Sequence, residues 1–231
     1  MVELTGVIIL GGGTARRLGG VSKPDVVVAG QRLLDRAIEE VRAVAPAARI
    51  VAVVPDSVAS PVPRALEDPP FGGPLAGIAA GFAALRTVRV GAGTPGKETE
   101  PIAPDERSGD SAIGLLTCDA PLAPRLYPLL LSALDDAAAH TARVDGAAPL
   151  GRDAAGPFVQ YALGVYRAET LARILAGPVR NRSIRRAFAK LTMATRPDPR
   201  HWTDDVDTPA DRERLERRLA ASSENTKRPS T

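Results

Sequence analysis

Residues Val7 to Lys23 read VIILGGGTARRLGGVSK, and the first four form a short unbroken apolar run. Such a run is what a parallel strand buried on both faces requires. It stops at Gly11-Gly12-Gly13 and gives way to a loop carrying Arg16, Arg17, Gly19, Gly20 and Lys23. Consecutive glycines put no Cβ in the path of a ligand, and their amides can turn toward an anion. Fixed cations a few residues later add charge where phosphates would lie. The stretch reads as a polyphosphate cradle at the carboxyl end of a first strand; the bland alternative is a tight turn with exposed arginines. Two better-known glycine loops do not fit. A Walker loop needs Lys after its last glycine, and Gly20 is followed by Val21. A dinucleotide fingerprint counted from Gly11 and Gly13 would need glycine at Arg16.

The 231 residues suffice for one large domain with a substantial core. Apolar residues make up 44% and charged residues 25%, as in soluble globular proteins. Aromatics reach only 3%, so aliphatic side chains and alanine must fill the core. Net charge is +3, with basic residues scattered among 27 acidic ones. No basic stripe with interleaved aromatics appears, which argues against nucleic-acid binding. Cys118 stands alone, so no internal disulfide forms, in keeping with a reducing compartment. The opening MVELTGVIIL lacks a charged n-region and a long apolar h-region, and no stretch approaches the ~20 apolar residues of a membrane span. A cytoplasmic protein that does not engage membranes is expected.

Beyond the loop, Val26 to Ala29 is a second apolar run closed by a turn at Gly30. Leu34, Ile38, Val41 and Ala45 recur at helical spacing, and Pro46 ends that helix. Ile50 to Val54 is a buried-type strand, and Arg64 to Glu67 a short one ending at Asp68. In FGGPLAGIAAGFAAL, Gly72-Gly73 turn and Pro74 opens a helix whose core face is Leu75, Ile78, Ala79, Phe82 and Leu85. Its small residues Ala76, Gly77, Ala80 and Gly81 let it lie close to a neighbour. Residues 91–110 read as a flexible insertion. Ile113 to Thr117 is the next strand, entering Cys118-Asp119-Ala120-Pro121. A helix from Pro124 follows, with a stripe of Leu126, Leu129, Leu130, Ala133, Leu134 and Ala137.

Two further strands, Gly146 to Leu150 and Val159 to Tyr166, precede helices at Ala168 to Ala176 and Ser183 to Leu191. The stretch after Leu191 carries no decisive pattern. Pro209 starts a last charged helix, and residues 221–231 read as a disordered tail. Alternating strands and helices predict a single α/β domain over residues 1–220: a Rossmann-like, mostly parallel sheet with helices on both faces and a small β appendage. Ligands of such sheets sit beyond the carboxyl ends of the strands. The glycine turn, Asp119, and Asp205 or Asp207 should then meet there. An aspartate after an apolar strand suits Mg2+, which prefers oxygen; Asp119 as a helix N-cap is the plainer alternative.

The ordered set LGGG-x3-R-x-GG-x2-K, ED followed by GGPLAGI, CDAP and DVDTPAD resembles the MobA-like NTP transferases, the nucleotidyltransferases of molybdenum cofactor maturation and their cytidylyltransferase relatives. VQYALGVY is similar to a further family strand, with Tyr161 in place of proline. The resemblance implies the nucleotide-diphospho-sugar transferase fold and a Mg2+ cofactor. It also implies transfer of a nucleotide from an NTP, GTP favoured, to a phosphate-bearing acceptor such as molybdopterin. Carried over by position, Leu10, Gly11, Gly12 and Gly13 would hold the nucleotide through backbone, with Gly11 where the family has alanine. Lys23 and Arg17 would bind phosphate as catalytic cations, and Asp119 would hold Mg2+, with Asp207 as a further metal ligand. Asp68 would hold the nucleoside, a carboxylate suiting the adjacent N–H donors of guanine, and Gly73, Pro74 and Leu75 would complete that side. Asp205 and Asp207 replace amides of the guanylyltransferases, and the form DxDTP also occurs in cytidylyltransferase-like relatives. The alternative is a cytidylyltransferase, a sugar- or alcohol-phosphate nucleotidyltransferase, or a non-catalytic nucleotide binder. His140 and His201 are too isolated for catalysis or zinc.

Overall fold

The computed structural model describes residues 1–12, 14–15, 20–87, 111–140 and 143–226. The apolar run lies inside β1 (Glu3–Leu10), and the glycine loop folds back through a short antiparallel pair, β2 (Thr14–Ala15) and β3 (Val21–Ser22). A two-residue hairpin follows, β4 (Val27–Val28) with β5 (Gln31–Arg32). Its turn residues Ala29 and Gly30 have φ of 48° and 78°, the positive values that match a hairpin turn to strand twist. The apolar run at Val26 to Ala29 thus makes a small hairpin apart from the main sheet. Helix α1 (Leu33–Val44) buries Leu34, Ile38 and Val41, and it ends before Pro46.

Next come β6 (Arg49–Val53), β7 (Arg64–Ala65), α2 (Pro74–Thr87), β8 (Ser111–Thr117) and α3 (Tyr127–His140). The chain continues with β9 (Gly146–Asp153), β10 (Gly156–Val159), β11 (Val165–Arg167), α4 (Ala168–Leu175) and α5 (Ile184–Phe188). It closes with β12 (Met193–Pro197) and α6 (Pro209–Thr226). The main sheet has the order β10-β9-β11-β8-β1-β6-β7, with β12 also on β9. β7, β6, β1 and β8 are mutually parallel, β11 runs antiparallel between β8 and β9, and β12 is parallel to β9.

Strand alternation sorts the core into two layers. Val7 and Ile9, with Ile50 and Ala52, pack against Leu34, Ile38, Tyr127 and Leu130 of α1 and α3. Ile8, with Val51, Val53, Ile113 and Leu115, packs against Leu75, Ile78, Phe82, Leu171 and Phe188 of α2, α4 and α5. Helices therefore cover both faces, as the unbroken apolar strands require. The glycines of α2 set its distance from the sheet: a Cβ on Gly81 would lie 2.5 Å from Ile8 Cγ2 and 2.9 Å from Val53 Cγ2.

Four expectations need correction. The strand expected at Val159 to Tyr166 is two strands, because the chain makes a short 3-10 turn at Tyr161–Leu163 between them. The patternless stretch after Leu191 forms β12, a partly buried edge strand whose terminal Pro197 costs no ladder bond there. Leu129, assigned to the apolar stripe of α3, is 43% exposed. The last helix continues to Thr226, into the segment expected as tail. The insertion expected at 91–110 lies outside the described residues. Among the described residues no helix is long and apolar enough to cross a membrane.

Candidate active site

Leu10 is in register with both Val53 and Thr117, so the carboxyl ends of β1, β6 and β8 are level. The ladder persists one residue further, with Gly11 N–H donating to Val53 O (3.0 Å) and Cys118 N–H to Leu10 O (3.0 Å). Gly11 is buried, and a Cβ there would lie 2.4 Å from Val54 Cγ1 and 2.8 Å from Pro24 Cγ. The missing methyl of Gly11 is thus offset by the bulk of Val54. Gly12 is open, with nothing within 4 Å of where a Cβ would stand. Gly13 and Arg17 lie outside the described residues.

The pairing of β2 with β3 returns the chain to the strand ends, where Lys23 opens a 3-10 turn stiffened by Pro24. Lys23 Nζ lies 2.6 Å from Asp119 Oδ2 and 2.5 Å from Asp207 Oδ1. Asp119 stands in the turn after β8, where Ala120 N–H donates to Thr117 O (3.1 Å). Its carboxylate is bonded to Lys23 and caps no helix. Asp207 is brought in by Val206, whose N–H donates to Asp119 O (2.9 Å) and whose side chain is buried with Val26, Val28, Leu33, Leu122 and Leu215. Asp207 is not the cap of α6 either. Thr208 Oγ1 accepts from Asp211 N–H (3.3 Å), while Asp211 Oδ2 accepts from Thr208 N–H (2.8 Å) and Asp207 N–H (3.2 Å). That reciprocal pair is a capping box, and it leaves the Asp207 carboxylate for Lys23.

Electrostatics follow from this packing. Partial burial works against the Lys23 charge, but hydrogen bonds to Asp119 and Asp207 outweigh it and hold the ammonium above the ordinary lysine range. Asp205 has a solvent-exposed side chain, yet crowding by surrounding protein, then the Asp207 and Asp119 charges, push its carboxyl up. Burial first, then the Asp119 charge, raises the Cys118 thiol far out of reach of thiolate chemistry. His201 is exposed in a loop, with its ring 3.5 Å from Asp204.

Asp119 forms one end of a cavity of about 710 Å³, with Thr117, Cys118, Leu10 and Gly12 beside it. The rest is lined by Val53, Pro55, Leu66, Glu67, Pro70 and Phe71, with Gly73, Pro74 and Gly77 at the start of α2. Volume and mixed lining are those of a small-molecule site. Leu75 sits in the core and does not line the cavity, whereas Gly73 and Pro74 do. Asp68 is exposed and does not line it; of that adjacent pair the lining carboxylate is Glu67, whose Oε1 accepts from Gly72 N–H (3.1 Å). Reading the Glu67-Asp68 pair from sequence could not show which member faces inward. Phe71 also went unremarked, because PPFGG reads as a turn. Its aromatic type amid small residues was the available signal.

The donor set fits Mg2+ in its chemistry. Two carboxylates converge on one Nζ, and Mg2+ commonly takes one or two carboxylates with the remaining positions filled by phosphate and water. Among the described residues no cluster of three or more His, Cys, Asp or Glu forms an all-protein cage.

A mostly parallel sheet with a glycine turn, a lysine and a carboxylate together at its strand ends defines an α/β protein whose candidate site lies at the carboxyl ends of the strands. The chain matches the MobA-like NTP transferase domain over residues 7–196 and belongs to that family of nucleotidyltransferases. No curated protein matches it in sequence. Among solved structures it is similar to molybdopterin-guanine dinucleotide biosynthesis protein A from Archaeoglobus fulgidus, at 20% identity and TM-score 0.57, covering 94% of this chain and 100% of that one. It is also similar to 2-C-methyl-D-erythritol 4-phosphate cytidylyltransferase from Thermus thermophilus, at 14% identity and TM-score 0.62, covering 94% and 100%. A third is 4-diphosphocytidyl-2C-methyl-D-erythritol synthase from Anaerococcus prevotii, at 10% identity and TM-score 0.59, covering 94% and 96%. Likeness at these identities establishes the nucleotide-diphospho-sugar transferase fold.

Proposed function

We propose that this protein transfers GMP from GTP to a molybdopterin-type acceptor, releasing pyrophosphate. The observation that carries the reading is the one cleft that Gly12 and Asp119 both line, with Lys23 held against Asp119. An acceptor phosphate oxygen forms a bond to the α-phosphorus as the bond from that phosphorus to the β-phosphate oxygen breaks. Such a transfer needs positioning and charge neutralisation, with no covalent intermediate on the protein. Gly12 lets the phosphate chain approach the backbone, and Lys23 supplies N–H donors and positive charge to the leaving pyrophosphate, together with Arg17 of the same loop. Asp119 and Asp207 would hold Mg2+, which when bound neutralises the triphosphate and polarises the reacting phosphoryl group. The buried Cys118 takes no part.

Cytidylyl transfer is the second reading, favoured by carboxylates at Asp205 and Asp207 where guanylyltransferases carry amides. Both readings are tested by pyrophosphate release from each of the four NTPs, with and without molybdopterin. Release that needs GTP and molybdopterin together is expected. Release confined to CTP would replace the first reading with the second, and none with any NTP would end both.

A further inference from the structure

We propose that the exposed cations of residues 182–190 act as an electrostatic funnel, drawing a polyanionic phosphate ligand to the mouth of the cavity without binding it. The inference rests on the nucleotide reading of the cleft and goes beyond it. Residues 170–197 hold seven of the chain's 30 basic residues and none of its 27 acidic ones. The rest of the chain, with 23 basic and 27 acidic residues, is net negative. The basic residues are therefore not evenly scattered, and one short segment supplies the whole positive excess.

Local packing explains why these charges stay in solvent. Ile184 and Phe188, one helical turn apart in α5, pack into the core, so Arg185 and Arg186 between them are left exposed. Three of the seven cations are engaged: Arg173 with Asp145 (2.9 Å), Arg196 with Asp136 (3.6 Å) and Arg180 with Pro69 O (2.6 Å). Arg182, Arg185, Arg186 and Lys190 are exposed and make no ion pair with any described residue. Crowded charges of one sign oppose the compact state, so this set does not serve stability.

The same face borders the cavity. Ile184 lines it, and Asn181 N–H donates to Gly72 O (2.7 Å) while Arg180 holds Pro69 O. The segment is thereby laced to the loop that brings Pro70, Phe71 and Gly73 to the lining. Phe71 is 95% exposed, so the cavity meets solvent on this side. The charged residues of the lining are Glu67 and Asp119, both acidic. A triphosphate nearing them is repelled until it reaches Lys23. Unpaired cations beside the mouth attract it from farther out, across a screening length of about 30 Å at 0.01 M salt. Steering of this kind raises association rates by about tenfold or more.

The test is stopped-flow association of fluorescent GTP and CTP analogues with the full chain at about 10 mM and about 500 mM salt. The wild-type association rate should fall about tenfold or more between the two. Arg185→Gln combined with Arg186→Gln should associate about three- to tenfold more slowly at low salt and match wild type at high salt. Its dissociation rate should equal that of wild type at both. Arg42→Gln combined with Arg217→Gln removes two exposed charges from α1 and α6, and should stay within about twofold of wild type. Wild-type association by the Arg185/Arg186 variant at low salt would overturn the proposal. So would a loss carried by faster dissociation, which makes the arginines ligand contacts, or equal slowing in the control pair. A wild-type chain that takes up neither nucleotide ends the nucleotide reading and this proposal with it. Uptake at a salt-independent rate ends this proposal alone.

Discussion

Lys23 and Asp119, 96 residues apart in the chain, are joined by a 2.6 Å hydrogen bond at the mouth of the central strands. Each holds the other in the cleft, so their removal should not add. Asp119→Asn and Lys23→Ala are each expected to lower kcat on the order of a hundredfold or more. The double variant should be little worse than the poorer single one, as for residues acting as a unit. Near-normal turnover in Asp119→Asn would remove that residue from the chemistry.

The Lys23 ammonium also sets a pH dependence. Its folded pKa lies above the ordinary 10.5, so its contribution to stability is fully present below that value and is lost as pH rises through the folded one. Lys23→Met should therefore lower stability by about 1–3 kcal/mol. The gap from wild type should stay constant between about pH 7 and 9, read by urea unfolding. A gap that closes within that range would show that the lysine titrates earlier than its two carboxylate partners imply.

Asp205 behaves in the opposite sense. Its carboxyl is raised by crowding and by Asp207 and Asp119, so ionising it opposes folding. Near pH 3, below its ordinary and folded pKa values, the charge is absent in both states and Asp205→Asn should match wild type. As pH rises through the raised value the variant should become the more stable. Solvent screening at this exposed side chain limits the gain to under about 1 kcal/mol. A variant less stable at neutral pH would assign Asp205 a favourable partner instead.

Gly11 and Val54 share one volume. Gly11→Ala should cost about 1–3 kcal/mol, because its methyl meets Val54 Cγ1 at 2.4 Å. Adding Val54→Ala in the same chain should recover part of that loss, with a coupling of about 0.5–3 kcal/mol in a double-mutant cycle of chemical denaturation. Strict additivity would mean that Pro24, and not Val54, receives the methyl.

The sheet and its helices were legible because their signals are local. Val7 to Leu10 and Ile113 to Thr117 are unbroken apolar runs, and the small residues of α2 announce close packing. The break at Tyr161–Leu163 and the pairing of Met193–Pro197 were not legible, since both depend on contacts with β9 and β8 far away in the chain. In the site, Lys23 and Asp119 could be matched from motif order, and the structure brings them together with Asp207. Which of Glu67 and Asp68 faces the cavity is decided by a loop that Arg180 holds from 111 residues away, and no local pattern encodes that. That Thr208 caps α6 has no local signal in the sequence, because Asp207 beside it is an equally good capping type.

Asp207 lies beyond residue 196, where the family match ends, and after the last strand of the sheet. A nascent chain that has cleared the ribosome only as far as β12 already carries all the described strands, yet of these two carboxylates Lys23 then faces Asp119 alone. The order of translation thereby separates the moment the scaffold can assemble from the later one at which the lysine is clamped.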